Sequence, residues 1–129
     1  MTFLIGLGLS MLTASAQHFY SNSGSLKGRV DSSRIYDKSG SYKGKIDDSR
    51  LYDQSGSYIG KVDDNRVYDR SGSLLGRIDN GRVYDRSGSL LGRIDGGRVY
   101  NASGSLIGWS DGMDTQTLAL IYFFKFWKV

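Results

Sequence analysis

The chain reads as an all-β protein made of tandem 16-residue hairpin repeats, arranged either as a pseudo-symmetric closed flower or propeller or as a solenoid, with an apolar C-terminal plug segment. Three observations predict this. Tyrosines recur without slippage at Tyr20, Tyr36, Tyr52, Tyr68, Tyr84 and Tyr100, and a fixed period of this kind is the signature of a repeat architecture. Each interval holds two turn signals separated by short runs of strand formers. The composition agrees: glycine is abundant, every acidic residue is aspartate, and glutamate, proline and cysteine are absent. Aspartate and glycine favour turns, whereas glutamate favours helices.

Three segments follow in order. Residues 1–16 read as a signal peptide, because residues 3–12 form an apolar core too short to span a bilayer. Ala14-Ser15-Ala16 is the small-residue pattern that signal peptidase accepts, leaving Gln17 as the new N-terminus. No lysine or arginine precedes that core, which leaves two readings open: a misplaced start, or a free amino group that supplies the charge alone. The sequence expectation is export to the periplasm, the outer surface or the medium.

Residues 17–112 carry the tandem β-repeats. Full copies cover residues 20–35, 36–51, 52–67, 68–83 and 84–99, and a sixth begins at Tyr100 and breaks down after Gly108. The first turn of each copy is a Ser-Gly-Ser triplet preceded by Asp37, Asp53, Asp69, Asp85 or Asn101, whose side chain can bond its own backbone. The second turn is Asp-x-x-Arg. Asn80-Gly81 and Gly96-Gly97 are strong signals for a two-residue primed hairpin there, while Ser32-Ser33, Asp48-Ser49 and Asp64-Asn65 fill the same slot less comfortably. Between the turns lie strands at about residues 82–85 and 90–95. The period of two puts Leu90, Gly92 and Ile94 on one face and Leu91, Arg93 and Asp95 on the other. A mid-strand glycine marks a close approach, and the repeat tyrosine is the ring expected over it. One unit cannot bury its own apolar face, so neighbouring copies must supply the core.

Residues 113–129 are different. Asp114 is a plausible N-cap for a helix, whereas Ile121-Tyr122-Phe123-Phe124 is rich in strand formers; helix and strand both stay open. A segment apolar on all sides is buried on all sides, and this one reads as a plug filling the centre of the array in the same domain.

The unit Tyr-Asp-x-Ser-Gly-x-x-x-Gly-Arg-Ile-Asp with a Phe-rich end resembles the small exported beta-flower proteins of Bacteroides-type bacteria, called four-fold or five-fold by repeat number. The match runs from Tyr20 to the C-terminus, and five full copies suggest the five-fold kind. The resemblance implies a pseudo-symmetric all-β body and brings no catalytic residues. Lys125 and Lys128 depart from it by interrupting the aromatic end. The Tyr-Asp start is also similar to the YD repeats of large surface shells and toxins, which are longer and less regular.

Few residues carry chemistry. Nucleophilic catalysis needs a base beside the nucleophile, and the only histidine, His18, is expected in a mobile terminus. No catalytic residue, cofactor or metal ligand is assigned. Repeated aspartates resemble those of calcium β-rolls, but such rolls follow a nine-residue rule, and an arginine or lysine lies near each aspartate here. The net charge of +4 is spread among alternating signs rather than on a stripe, so nucleic acid is not the expected partner. The remaining candidate ligand surface is the tyrosine row Tyr36, Tyr52, Tyr68, Tyr84 and Tyr100, which could stack on a glycan or pack between copies. Other expected partners are an envelope protein or a second copy joined through the aromatic tail.

Overall fold

The structure is a computed structural model and describes residues 16–129; the signal-peptide reading of residues 1–16 therefore falls almost wholly outside the described residues. Among the described residues, twelve antiparallel strands and one helix make up the fold. They are β1 (Gln17–Ser21), β2 (Leu26–Asp31), β3 (Arg34–Asp37), β4 (Tyr42–Asp47), β5 (Arg50–Asp53), β6 (Tyr58–Asp63), β7 (Arg66–Asp69), β8 (Leu74–Asp79), β9 (Arg82–Asp85), β10 (Leu90–Asp95), β11 (Arg98–Asn101), β12 (Leu106–Ser110) and α1 (Thr115–Tyr122).

Every strand pairs with its sequence neighbours, and β12 pairs with β1, so the array is a closed barrel rather than a solenoid. Closure removes the unpaired edges that an open stack of hairpins would expose. The sixth copy does not simply break down. Its long strand β12 finds its short partner at the other end of the chain, where Phe19-Tyr20-Ser21 takes the place held by Ile35-Tyr36-Asp37 in the next copy. His18 is consequently in strand, opposite Arg29, with its backbone N–H donated to Asp111 at 3.0 Å. The expectation of a mobile terminus at His18 is corrected by this pairing, which single-copy reasoning could not see.

The two turn types separate to opposite rims. At the first rim the hairpins are two-residue turns with both central residues at positive φ: Ser32 and Ser33 at 51° and 66°, Asp48 and Ser49 at 52° and 67°, Asn80 and Gly81 at 50° and 83°. L-residues other than glycine and asparagine pay a steric cost in that region. The second slot is already glycine at Gly81 and Gly97. We therefore expect Ser33→Gly/Ser49→Gly to raise the unfolding free energy by about 0.5–1 kcal/mol per site, read as a higher urea midpoint; an unchanged or lower midpoint would show that these serines do something the backbone does not.

At the other rim each Ser-Gly-Ser turn is closed by one side chain. Asp37 Oδ1 accepts from Ser39 N at 2.9 Å, Ser39 Oγ at 2.7 Å and Ser41 N at 3.0 Å. Asp53, Asp69 and Asp85 repeat the pattern, and Asn101 Oδ1 does so in the sixth copy. Between turn and barrel wall the register slips by one residue: Val83 faces Gly92 but Tyr84 faces Leu90. This bulge overturns the strict period of two. Leu90 is 40% exposed on the outer wall, and Leu91 is the residue packed against the core beside Gly92. A bulge places two residues opposite one and re-aims the side chains around it.

The core lies inside the barrel. Ile35, Leu51, Val67, Val83 and Val99 from the short strands are fully buried, as is Phe19 in the same position of β1. They surround α1, whose Leu118, Ala119 and Leu120 are fully buried and whose Ile121 and Tyr122 are nearly so. The helix alternative for the tail is the one realised: Asp114 caps it, accepting from Thr117 N at 3.1 Å. Helix starts exactly where backbone N–H groups lack partners, and a carboxylate there supplies one.

Candidate functional site

Two surfaces hold the side chains that could act, and both are organised by the mid-strand glycines. Inside the barrel each glycine receives one aromatic ring. A Cβ on Gly28 would lie 2.7 Å from Phe19 Cζ, one on Gly60 2.7 Å from Phe126, one on Gly76 2.9 Å from Phe124 and one on Gly92 2.6 Å from Phe123. Trp127 meets Gly44 and Tyr122 meets Gly108 in the same way. Six glycines thus take six rings, five from the tail and one from β1. The ring expected over each glycine was that of the repeat tyrosine; the structure corrects this. The tyrosine contributes its backbone carbonyl to the glycine's surroundings, while its ring points outward. The bulge is the reason, because it leaves that carbonyl turned toward the interior. Trp127 Nε1 donates to Tyr52 O at 3.0 Å, and Tyr122 Oη donates to Tyr20 O. Burial pushes the Tyr122 phenol up to about 12, so it stays a neutral donor.

On the outer wall the tyrosines form a belt. Tyr36, Tyr52, Tyr68, Tyr84 and Tyr100 are each half-buried, and each carries a cation over its ring from the strand before. The cation-to-centroid distances are 4.2 Å for Arg29–Tyr36, 5.5 Å for Lys45–Tyr52, 5.4 Å for Lys61–Tyr68, 4.1 Å for Arg77–Tyr84 and 4.1 Å for Arg93–Tyr100. Such pairs contribute about 0.5–1 kcal/mol each at exposed sites. On the other side Tyr36 meets Tyr42 and Tyr52 meets Tyr58, with centroids 5.8 and 6.1 Å apart. At the seam the pattern changes: Trp109 replaces the cation and stacks on Tyr20 at 4.2 Å. The structure therefore brings the five sequence-predicted tyrosines into one belt, but as rings partitioned by arginine and lysine rather than as a continuous aromatic face.

The turn aspartates are committed to their own backbone. Hydrogen bonds hold all four below the usual value of 3.8: for Asp37, Asp69 and Asp85 the serine hydroxyl two residues on is the leading cause, and for Asp53 it is the Ser57 backbone N–H. A folded-state value below the unfolded one adds stability that is present above about 3.8 and is lost as pH falls through the lowered values. We expect the urea midpoint to be flat at mildly acid pH and to drop below that range. The variant Asp37→Asn/Asp53→Asn/Asp69→Asn/Asp85→Asn should flatten the drop, because Asn101 already closes the same turn as an amide. A drop just as steep in the variant would place the acid sensitivity elsewhere.

Sequence reasoning passed over one column. The residue before the mid-strand glycine is Ile59, Leu75, Leu91 and Ile107 in four copies but Lys27 and Lys43 in the first two. The signal was present in the stacked copies, but the period of two assigned that column to the solvent side.

These features define a class: a closed β-repeat barrel with an apolar helix as its axle and one aromatic ring seated on each repeat. The family described as 5-fold beta-flower protein matches residues 16–127, which takes in all twelve strands, the helix and five tail rings, and the chain belongs to that family. Comparison with curated proteins and with solved structures gave no match.

Proposed function

We propose that this protein is an exported, non-enzymatic scaffold at the cell envelope, a rigid barrel that presents a repeated outer surface. The observation that carries the reading is the filled interior. Barrels that hold small ligands keep their lumen open to them, whereas here α1 and the glycine-seated rings occupy it. At the Ser-Gly-Ser rim Asp37, Asp53, Asp69 and Asp85 are engaged in closing their own turns, which supports a structural use of those carboxylates. Export rests on Ala14-Ser15-Ala16-Gln17, and β1 beginning at Gln17 fits a mature chain that starts there. Expression of the full sequence in a diderm bacterium, followed by fractionation and intact-mass measurement, tests this reading. The expected product lacks residues 1–16 and leaves the cytoplasm; an uncleaved cytoplasmic chain would overturn it.

A second reading, a glycan-binding module, is favoured by the regular spacing of the tyrosine belt. A glycan array and peptidoglycan pull-down with the Tyr68→Ala/Tyr84→Ala variant decides it. Binding by the parent that a folded variant loses would establish the belt as a ligand surface, and no binding would leave the scaffold.

A further inference from the structure

We infer that the tail-side rim holds a binding groove for a small anionic amphiphile, a molecule carrying a phosphate, sulfate or carboxylate group on an apolar body. The groove is a depression of about 700 Å³ whose lining includes Ser21, Lys27, Ile107, Lys125, Trp127 and Lys128. It runs into a second of about 520 Å³ that shares Lys27 and Lys128 and adds Lys38. Ligand sites for small molecules are concave and of this size, with an apolar lining and a few convergent polar groups.

Charge placement sets this face apart from the rest of the molecule. The chain has seven lysines, and five of them (Lys27, Lys38, Lys43, Lys125 and Lys128) line depressions on this rim. Elsewhere on the wall Lys45 and Lys61 sit over tyrosine rings. Among the described residues, the only rim lysine with a carboxylate in ion-pair range is Lys43, 3.6 Å from Asp37. Lys27 stands 6.0 Å from the Tyr122 ring centroid. Asp37 and Asp53 also line these depressions and stay ionised, their carboxylates held by their own turns, so they offset two of the five ammonium charges and leave the rim with an excess of positive charge around Lys27, Lys125 and Lys128. Like charges gathered over low-dielectric walls raise the local potential and draw counter-ions.

The sequence builds this concentration against its own repeat. Lys27 and Lys43 occupy the column that is Ile59, Leu75, Leu91 and Ile107 in the other copies, where an apolar residue packs on the core. Lys125 interrupts the aromatic tail at φ 51°, turning the chain so that Phe124 and Phe126 reach Gly76 and Gly60 while Lys125 stays exposed at the groove. Ile107, Ile121 and Val129 supply the apolar part of the lining. An ammonium wall over an apolar floor selects a ligand with both characters.

Isothermal titration of the mature full-length chain with dodecyl phosphate, below its micelle concentration and at low salt, tests the inference. Dodecyl maltoside and inorganic phosphate serve as the neutral and headgroup-only probes. The expected result is one-to-one binding of dodecyl phosphate that weakens with salt, with neither control probe binding comparably. The Lys27→Gln/Lys125→Gln/Lys128→Gln variant should bind about tenfold more weakly, and Arg34→Gln/Arg50→Gln/Arg66→Gln, the same charge change on the opposite rim, should stay within about twofold of the parent. Equal binding of the maltoside, equal binding of inorganic phosphate, or equal loss in the two variants overturns it. So does binding to phosphatidylglycerol vesicles without binding of monomeric dodecyl phosphate, which would point to a flat membrane contact. If the lysine variant does not fold, Lys128→Gln alone and amide and indole NMR shifts replace it: ligand-induced shifts must appear at the Trp127 indole and Ile107, and shifts confined to other residues would overturn the groove.

Discussion

A chain ending at Tyr122 should not fold. Removing residues 123–129 takes away Phe123, Phe124, Phe126 and Trp127, the rings seated on Gly92, Gly76, Gly60 and Gly44. Fully burying an aromatic side chain contributes about 1.5–3 kcal/mol; Trp127 is buried and the three phenylalanines are partly so, and the four together still amount to a large share of an ordinary domain's stability of about 5–15 kcal/mol. The loss is larger than burial alone, because four glycine-lined notches cannot collapse to fill the space left. Trp127 adds a specific penalty: its indole N–H satisfies Tyr52 O, which would be left as an orphaned acceptor inside the wall. Circular dichroism, near-ultraviolet signal and amide dispersion of the truncated mature chain, compared with the full one, measure the effect. A truncated chain that melts cooperatively within a few degrees of the parent would make the tail an accessory and return the core to contacts between copies.

That dependence explains which parts of the fold were legible in the sequence. Tyr20 to Tyr100 at constant spacing gave the unit, and Asn80-Gly81 and Gly96-Gly97 gave the primed turns, because both depend on local backbone chemistry. Asp114 offered a helix start for the same reason, but the run Ile121-Tyr122-Phe123-Phe124 left helix and strand both open. The choice between closed ring and solenoid stayed open, since closure rests on Phe19, Tyr20 and Ser21 pairing with Ser110, Trp109 and Gly108 at the far end of the array, a non-local contact that no repeat unit contains. The face of Leu90 and Leu91 was misread because the bulge beside Tyr84 shifts the alternation by one residue. The same bulge explains the belt. It sends the tyrosine ring outward to its cation and the tyrosine carbonyl inward to the glycine, so one residue type serves both walls. What made the tail's role readable in principle is arithmetic: five rings at Tyr122, Phe123, Phe124, Phe126 and Trp127, with Phe19, equal the six mid-strand glycines. For the ligand surface the sequence supplied the tyrosines but not their covering cations, which depend on cross-strand register.

The glycines make the sharpest point of failure, and Gly60→Ala is expected to destabilise the barrel by about 3 kcal/mol, the upper end of the usual overpacking cost. A methyl there would sit 2.5 Å from Tyr68 O and 2.7 Å from Phe126 Cε1. The ring could retreat toward the rim, but the carbonyl belongs to the paired strand β7 and cannot move without breaking the ladder. The double variant Gly60→Ala/Phe126→Ala separates the two neighbours. Removing the ring relieves one clash and leaves the other, so the double variant should remain less stable than Phe126→Ala alone, while costing less than the two single changes added together. Gly72→Ala is the matched control: it lies in a turn at φ 88° with open space around its Cβ position, and its cost is conformational only, about 1 kcal/mol. Urea unfolding of the four variants and the parent measures all these values. If Gly60→Ala costs no more than Gly72→Ala, the wall accommodates a methyl at Gly60 by small shifts, the glycine column is not required for seating rings, and the tail must be held by the helix instead.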